Sequence, residues 1–149
     1  MKKISSTKSE FDAVETAIAT LRCDLPTLFV RDIDYSIYSG NIFFKDPVNT
    51  FQYKFNYRII FWTLRFHARL FFTEIHFDVH DIRRDTENMI KVDWTVRGTL
   101  RLPWRADLWF GGNSTYTLDE RGKIYRHVDT WNRSPREILQ QFWPRSGAN

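Results

Sequence analysis

The sequence predicts an α+β domain, with helices first and a curved antiparallel sheet after them. Two observations carry this. As far as about residue 71 the apolar residues recur at helical spacing; from residue 73 onward the period switches to two. A third observation sets the domain count. The 149 residues suit one domain around one core, and neither an internal repeat nor a low-complexity linker divides them. Residues 1–149 are therefore read as one unit, with 1–6 as a flexible tail.

The elements follow in order. Thr7 and Glu10 have capping-box spacing, which starts a helix near residue 8. Phe11, Val14, Ile18 and Leu21 then form one apolar stripe. Asp24 can cap a second short helix with Pro26 in its first turn. Asp34 can cap a third turn carrying Tyr35 and Tyr38, which Gly40 breaks. "IFF", 42–44, reads as a short strand. Pro47 ends it and keeps Asp46 away from helical angles.

A long helix is expected from about Phe51 to Phe71. Lys54, Arg58, Arg65 and Arg69 fall within about 60° of one another at about 100° per residue, and the rest of its circumference is mostly apolar. Such a helix is expected to be largely buried, with its basic stripe in water or against an acidic partner.

Ile75, Phe77 and Val79 alternate with Glu74, His76, Asp78 and His80. Val92, Trp94 and Val96 alternate with Lys91, Asp93, Thr95 and Arg97. Each run reads as a half-buried antiparallel strand. A third strand begins at Arg105, is expected to bend or bulge at "GGN", and resumes from Ser114 to Leu118. "DERGK" is a turn, and Lys123 to Trp131 a last strand. Ser134, Pro135 and Glu137 start a short C-terminal helix, closed by Pro144.

Composition narrows the function classes. Aromatic residues are 17% of the chain, so the core is built of large flat side chains, of the kind that line apolar ligand cavities. The lone Cys23 excludes an intrachain disulfide. The net charge of +4 is mild and scattered, which argues against nucleic-acid binding. The most apolar stretch, 59–72, contains Arg65, His67 and Arg69, which argues against a membrane span. "MKKISSTKSEF" has no apolar core of a secretory signal, and no transit peptide is evident. The expected location is the cytoplasm or, for a mature plant form, a plastid.

"FKDPV" at 44–48 resembles the strand-to-helix junction of ketosteroid isomerases, and "LDERGKIYRHVDTW" at 118–131 resembles the closing hairpin of the nuclear transport factor 2-like, or SnoaL-like, superfamily. Together with "FWTLRFHARLFF" and "SPREIL", these motifs resemble one branch more closely. That branch is a family of unknown function found mainly in plants and cyanobacteria, with distant members in animals. The resemblance covers about residues 10–143. It implies a cone, in which a long helix and a bent sheet enclose a cavity used for isomerase, cyclase or dehydratase chemistry or for binding alone. It also implies dimers through the outer face of the sheet in some members. In some plant members this domain accompanies a SOUL-type haem-binding domain; no haem motif or other cofactor motif is evident here.

The resemblance places Asp46 at the base position of ketosteroid isomerases. Ser114 falls near the position of their oxyanion-binding aspartate, and Tyr35 or Tyr38 is available as the tyrosine donor. Read from its own neighbours, Asp46 instead holds the turn after Pro47 through backbone N–H groups. Period two puts Tyr125, His127, Asp129 and Trp131 on one strand face, which makes His127 and Asp129 the strongest acid–base pair. Ser114 and Tyr116 share a face on the preceding strand. Glu74, His76, Asp78 and His80 also share a face, but residues two apart on a strand are nearly 7 Å apart, too wide for one ion, so no metal site is expected. Arg97, Arg101 and Arg105, with Lys91, are expected to pair across strands with Asp93 or the acidic cluster.

Three functions remain open on this reading. The first is binding of an apolar small molecule, contacted by Tyr57, Trp62, Trp94, Ser114, Tyr116 and Trp131. The second is an isomerase or lyase with Asp46 or the His127–Asp129 pair as base. The third is a homodimeric assembly module using the sheet face.

Overall fold

The structure, a computed structural model, describes residues 2–144. Side chains of residues 1–12 lie outside the described residues, and with them the Thr7–Glu10 capping box and Phe11 of the apolar stripe. The first helix, α1 (Lys2–Asp24), has a helical backbone ahead of the expected start near residue 8, so residues 2–6 join the helix. Its inner face is Val14, Ala17, Ile18 and Leu21, all buried, as the apolar spacing requires.

Two short 3-10 turns follow. In Leu25–Thr27 the proline sits at the start, where its missing N–H costs nothing, but the Asp24 side chain caps no backbone N–H there. Asp24 Oδ2 instead accepts from Asp34 N at 2.9 Å, which ties the two turns together. In Tyr35–Ile37 the Asp34 side chain does cap, accepting from Ser36 N at 2.9 Å.

The expected short strand is longer than "IFF". It is β1 (Tyr38–Lys45), and Gly40 lies inside it rather than breaking a turn. The segment after Pro47 does not enter the long helix at Phe51. It first forms β2 (Thr50–Gln52), which pairs antiparallel with β1. The long helix α2 then spans Lys54–Phe71.

Four long strands complete the sheet: β3 (Phe72–Thr86), β4 (Met89–Leu100), β5 (Asp107–Leu118) and β6 (Ile124–Trp131). The order is β2-β1-β6-β5-β4-β3. β3 to β6 form the expected antiparallel meander, while β1 lies parallel to β6 and makes the sheet mixed. The β5–β6 turn has Gly122 at φ 77°, where glycine is favoured. The last helix, α3 (Pro135–Gln140), carries the predicted capping box, with Ser134 Oγ accepting from Glu137 N.

The "GGN" bend is a correction. β5 is continuous there, with Gly111 and Gly112 in register opposite Thr95 and Trp94. Glycine is needed at 112 for space: a Cβ would lie 2.8 Å from the Trp94 ring and would collide with the Thr130 carbonyl.

The burial of α2 is a second correction, although Arg58 and Arg69 of its basic stripe are exposed as expected. The side turned to the protein is Tyr57, Phe61, Arg65 and Ala68. Arg65 is only 9% exposed and its guanidinium meets Asp32 at 3.0 Å. Apolar residues stand outside instead: Trp62 is 58% exposed and Phe55 72%. A two-layer fold covers one side of a helix, and on α2 that side is narrow.

Candidate functional site

A cavity of about 440 Å³ lies between α2 and the concave face of the sheet. Its walls are aromatic and aliphatic. From the sheet come Phe77, Trp94, Phe110, Tyr116 and Trp131; from α2 come Ile59, Ile60, Phe61 and Leu64. The sheet aromatics contact one another in a row, Phe77–Trp94 at 5.2 Å, Trp94–Phe110 at 5.8 Å and Phe110–Trp131 at 5.4 Å between ring centres. Strand alternation explains the row, because all four project from one face of neighbouring strands.

Besides Asn56, Thr63 and His67 of α2, polar groups border this cavity at two places. The first is the floor, where β5 and β6 set Ser114 opposite Asp129 and Tyr116 opposite His127. Asp129 Oδ1 accepts from Ser114 Oγ at 2.5 Å and meets His127 Nε2 at 2.6 Å. Trp94 Nε1 donates to Ser114 Oγ at 2.9 Å. Tyr57 of α2 reaches His127 Nδ1 from behind at 2.7 Å, and Tyr38 is hydrogen-bonded to Tyr57. Tyr116 stacks on the His127 ring at 4.3 Å, and Phe44 meets it edge-on at 5.0 Å.

For an imidazole protonated at Nε2 alone, Tyr38 O–H serves Tyr57, Tyr57 O–H serves Nδ1, and Nε2–H and Ser114 O–H both serve the Asp129 carboxyl group. Such a chain orients the Asp129 carboxyl group and the His127 ring. Asp129 keeps 18% of its side chain exposed and its second oxygen has no hydrogen bond among the described residues. His127 is buried at 4%. Burial pushes the phenols of Tyr57 and Tyr116 well above the ordinary value of 10.0, so both stay neutral donors.

The second polar place is Asp46, which borders the same cavity from the turn after β1. Its Oδ1 accepts from Val48 N at 2.8 Å and Asn49 N at 2.6 Å. That carboxylate is the brace of the Pro47 turn, and it does not join the Asp129 network.

The expected site residues divide cleanly. Asp46, Trp94, Ser114, Tyr116, His127, Asp129 and Trp131 border one cavity. Tyr57 is buried behind it, holding His127. Trp62 is the exception: one residue beyond Phe61, it lies about 100° further round α2 and faces outward, stacked on Phe66 at 5.4 Å. Tyr125 also leaves the expected face. A bulge pairs Leu118 with Ile124 and Thr117 with Arg126, so Tyr125 is the extra residue and ends up 39% exposed. Tyr38, which the resemblance offers as an oxyanion donor, is instead the far end of the buried chain. No local signal in the sequence joins Tyr57 to His127, seventy positions on.

The convex face of the sheet carries the acidic and basic residues in pairs. Arg97 meets Asp78 at 2.6 Å, and Arg83 bridges Asp81 and Asp93. Arg105 meets Asp107 at 3.2 Å, on its own strand's edge rather than across strands. Arg101 spends its guanidinium on the Phe72 carbonyl.

Comparison with known proteins places this architecture. A nuclear transport factor 2-like protein of unknown function from Burkholderia pseudomallei K96243 is 14% identical, with a TM-score of 0.54 over 91% of this chain and 98% of its own. The epoxide hydrolase/cyclase-like enzyme SalBIII, of pyran-ring formation in the polyether salinomycin, is 15% identical, with a TM-score of 0.56 over 84% of this chain and 92% of its own. At that identity the likeness shows the fold, which is the nuclear transport factor 2-like α+β fold. An uncharacterized protein of Rattus norvegicus, C6orf136 homolog, is 30% identical over 125 residues, covering 72% of this chain and 70% of that protein. The family described as uncharacterized conserved protein (DUF2358) matches residues 15–127, and the chain belongs to that family.

Proposed function

We propose that the cone binds an apolar small molecule that carries at least one hydrogen-bond donor. The observation behind this is the open carboxylate oxygen of Asp129 on the floor of a largely apolar cavity of about 440 Å³. That volume is within the range of small-molecule sites, and few polar groups in an apolar pocket are what fix a ligand's orientation. Trp94, Trp131 and Tyr116 supply flat contact area; Asp129, held by His127 and Ser114, accepts the ligand's donor. Solved relatives of the fold include an epoxide hydrolase/cyclase-like enzyme, which supports a cavity with use beyond packing.

Binding is read from the quenching of tryptophan fluorescence by an uncharged apolar fluorophore with an N–H donor, N-phenyl-1-naphthylamine, with organic extraction and mass spectrometry of the purified protein beside it. Ile75→Trp narrows the cavity and is expected to weaken uptake. A wild-type protein that takes up nothing, or a narrowed variant that binds equally well, would sink the reading.

A second reading has its own support. The chain Tyr57–His127–Asp129 backs the open oxygen with a proton path, which suits an isomerase or lyase that moves a proton beside a carbonyl. Deuterium uptake from D₂O into carbonyl-activated C–H bonds of bound compounds tests it. Asp129→Asn and His127→Gln are expected to stop exchange, whereas Asp46→Asn, whose carboxylate braces a turn, is expected to retain it. Exchange that survives Asp129→Asn removes Asp129 as the base.

A further inference from the structure

The outward side of α2 carries Phe55, Ile59, Trp62, Phe66 and Leu70. At about 100° per residue they form a stripe about 80° wide and roughly 22 Å long. Each is between 46% and 72% exposed. Single exposed apolar residues are ordinary; a continuous stripe of this size marks a surface that meets something apolar.

Its electrical setting says what. The charged residues of α2 are Lys54, Arg58, Arg65 and Arg69, and the helix holds no Asp or Glu. Arg58 and Arg69 lie along one margin of the stripe and are exposed. Arg58 rests over the Tyr35 ring at 4.5 Å, and Arg69 stands in the last turn. A helix with aromatic side chains outward and only cations at its margin has the pattern of an interfacial helix. Its rings sink to the acyl boundary and its guanidinium groups stay at the headgroups. A second copy of the chain suits the stripe less well. An isologous pair would bring two basic helices together with no carboxylate on either to answer them. Among the described residues no helix is long and apolar enough to cross a membrane.

The stripe also joins the cavity. Ile59 is 46% exposed and at the same time lines the cavity, as do its neighbours Thr63 and Leu64 on the next turn. An apolar molecule leaving a bilayer at α2 would reach the cone along apolar side chains.

We propose that the outer face of α2 seats this domain on a bilayer of anionic lipid, with the cavity reached from that side. The docking stands on the helix alone; the route into the cone rests on the binding function proposed above.

The test is co-sedimentation of the purified protein with phosphatidylcholine vesicles and with vesicles containing about a third phosphatidylserine. Binding to the anionic vesicles is expected, weakening as salt is raised from 0.1 to 0.5 M. It should fall at least tenfold in Trp62→Asp/Phe66→Asp, and several-fold in Arg58→Gln/Arg69→Gln. Circular dichroism checks that these surface variants stay folded, and the arginine pair is the conservative control if the first does not. The cavity variant Ile75→Trp should still sediment, which separates failure of docking from failure of the ligand reading. Wild-type protein that stays in solution with anionic vesicles overturns the proposal, as does binding unchanged in both double variants. A wild-type dimer that becomes monomeric in Trp62→Asp/Phe66→Asp, with no sedimentation, assigns the stripe to a second copy instead.

Discussion

Gly112 is where packing at the site is tightest. A methyl group there meets the Trp94 ring at 2.8 Å and collides with the Thr130 carbonyl of the paired strand. Gly112→Ala is expected to cost about 1–3 kcal/mol, the usual range for overpacking, measured by urea unfolding. It should also shift the Trp94 emission, since the indole is held to Ser114 by its N–H. The pairing of His127 with Asp129 was legible in the sequence, because two positions on one strand share a face whatever the fold. So was the nearness of Ser114, given strand alternation. The Tyr57 contact was not, because it depends on where a distant helix lies. Trp62 and Tyr125 misled for a common reason: periodicity assigns a face, and a turn of the helix or a single bulged residue changes which face is inside.

Among the elements, α2 has the most unusual start. Tyr53, the residue that caps it, has φ 77° and ψ 142°, a region that side chains rarely occupy. It is held there by its N–H to the Ile42 carbonyl at 2.8 Å and by its own carbonyl, which accepts from Tyr57 N at 3.1 Å. The ring is 58% exposed, so little packing opposes its removal. Tyr53→Gly is expected to raise stability by about 1 kcal/mol in urea unfolding. β3 and β4 give the contrast. The Asp78 carboxyl is held below its ordinary value of 3.8 by the Arg97 hydrogen bond, yet the pair lies in water. Asp78→Ala is expected to change stability by less than about 1 kcal/mol. The sequence showed that α2 was a helix, apolar over most of its circumference. It could not show which apolar arc faces inward, since a cavity beneath the helix relieves it of the dense packing that would bury the rest.

For the molecule as a whole, the buried tyrosines set the alkaline limit. Tyr38, Tyr57 and Tyr116 are buried, and burial raises each phenol above 10.0. The unfolded chain loses these protons near 10.0 while the folded chain keeps them. Stability is therefore full below pH 10 and falls as the pH rises beyond it, by about 1.4 kcal/mol per pH unit for each tyrosine. Urea midpoints at pH 8, 10 and 11 should show the fall, and Tyr57→Phe should make it shallower. The meander from β3 to β6 was readable because each strand pairs with its successor through a local turn. The parallel β1–β6 contact was not, since nothing local announces a partner some eighty residues away.

That parallel contact has a consequence in time. β6 lies between β1 and β5, so the strand that closes the sheet is the last one synthesised. Until it emerges, β1 has only the short β2 beside it and waits through the whole of α2 and the hairpins. The β1–β6 pairing is thus a long-range contact, slower to close than the local hairpins. His127 and Asp129 arrive on that same strand. A chain halted before residue 124 has the β3, β4 and β5 walls of the cavity but neither polar side chain of its floor from β6, and β1 lacks its parallel partner.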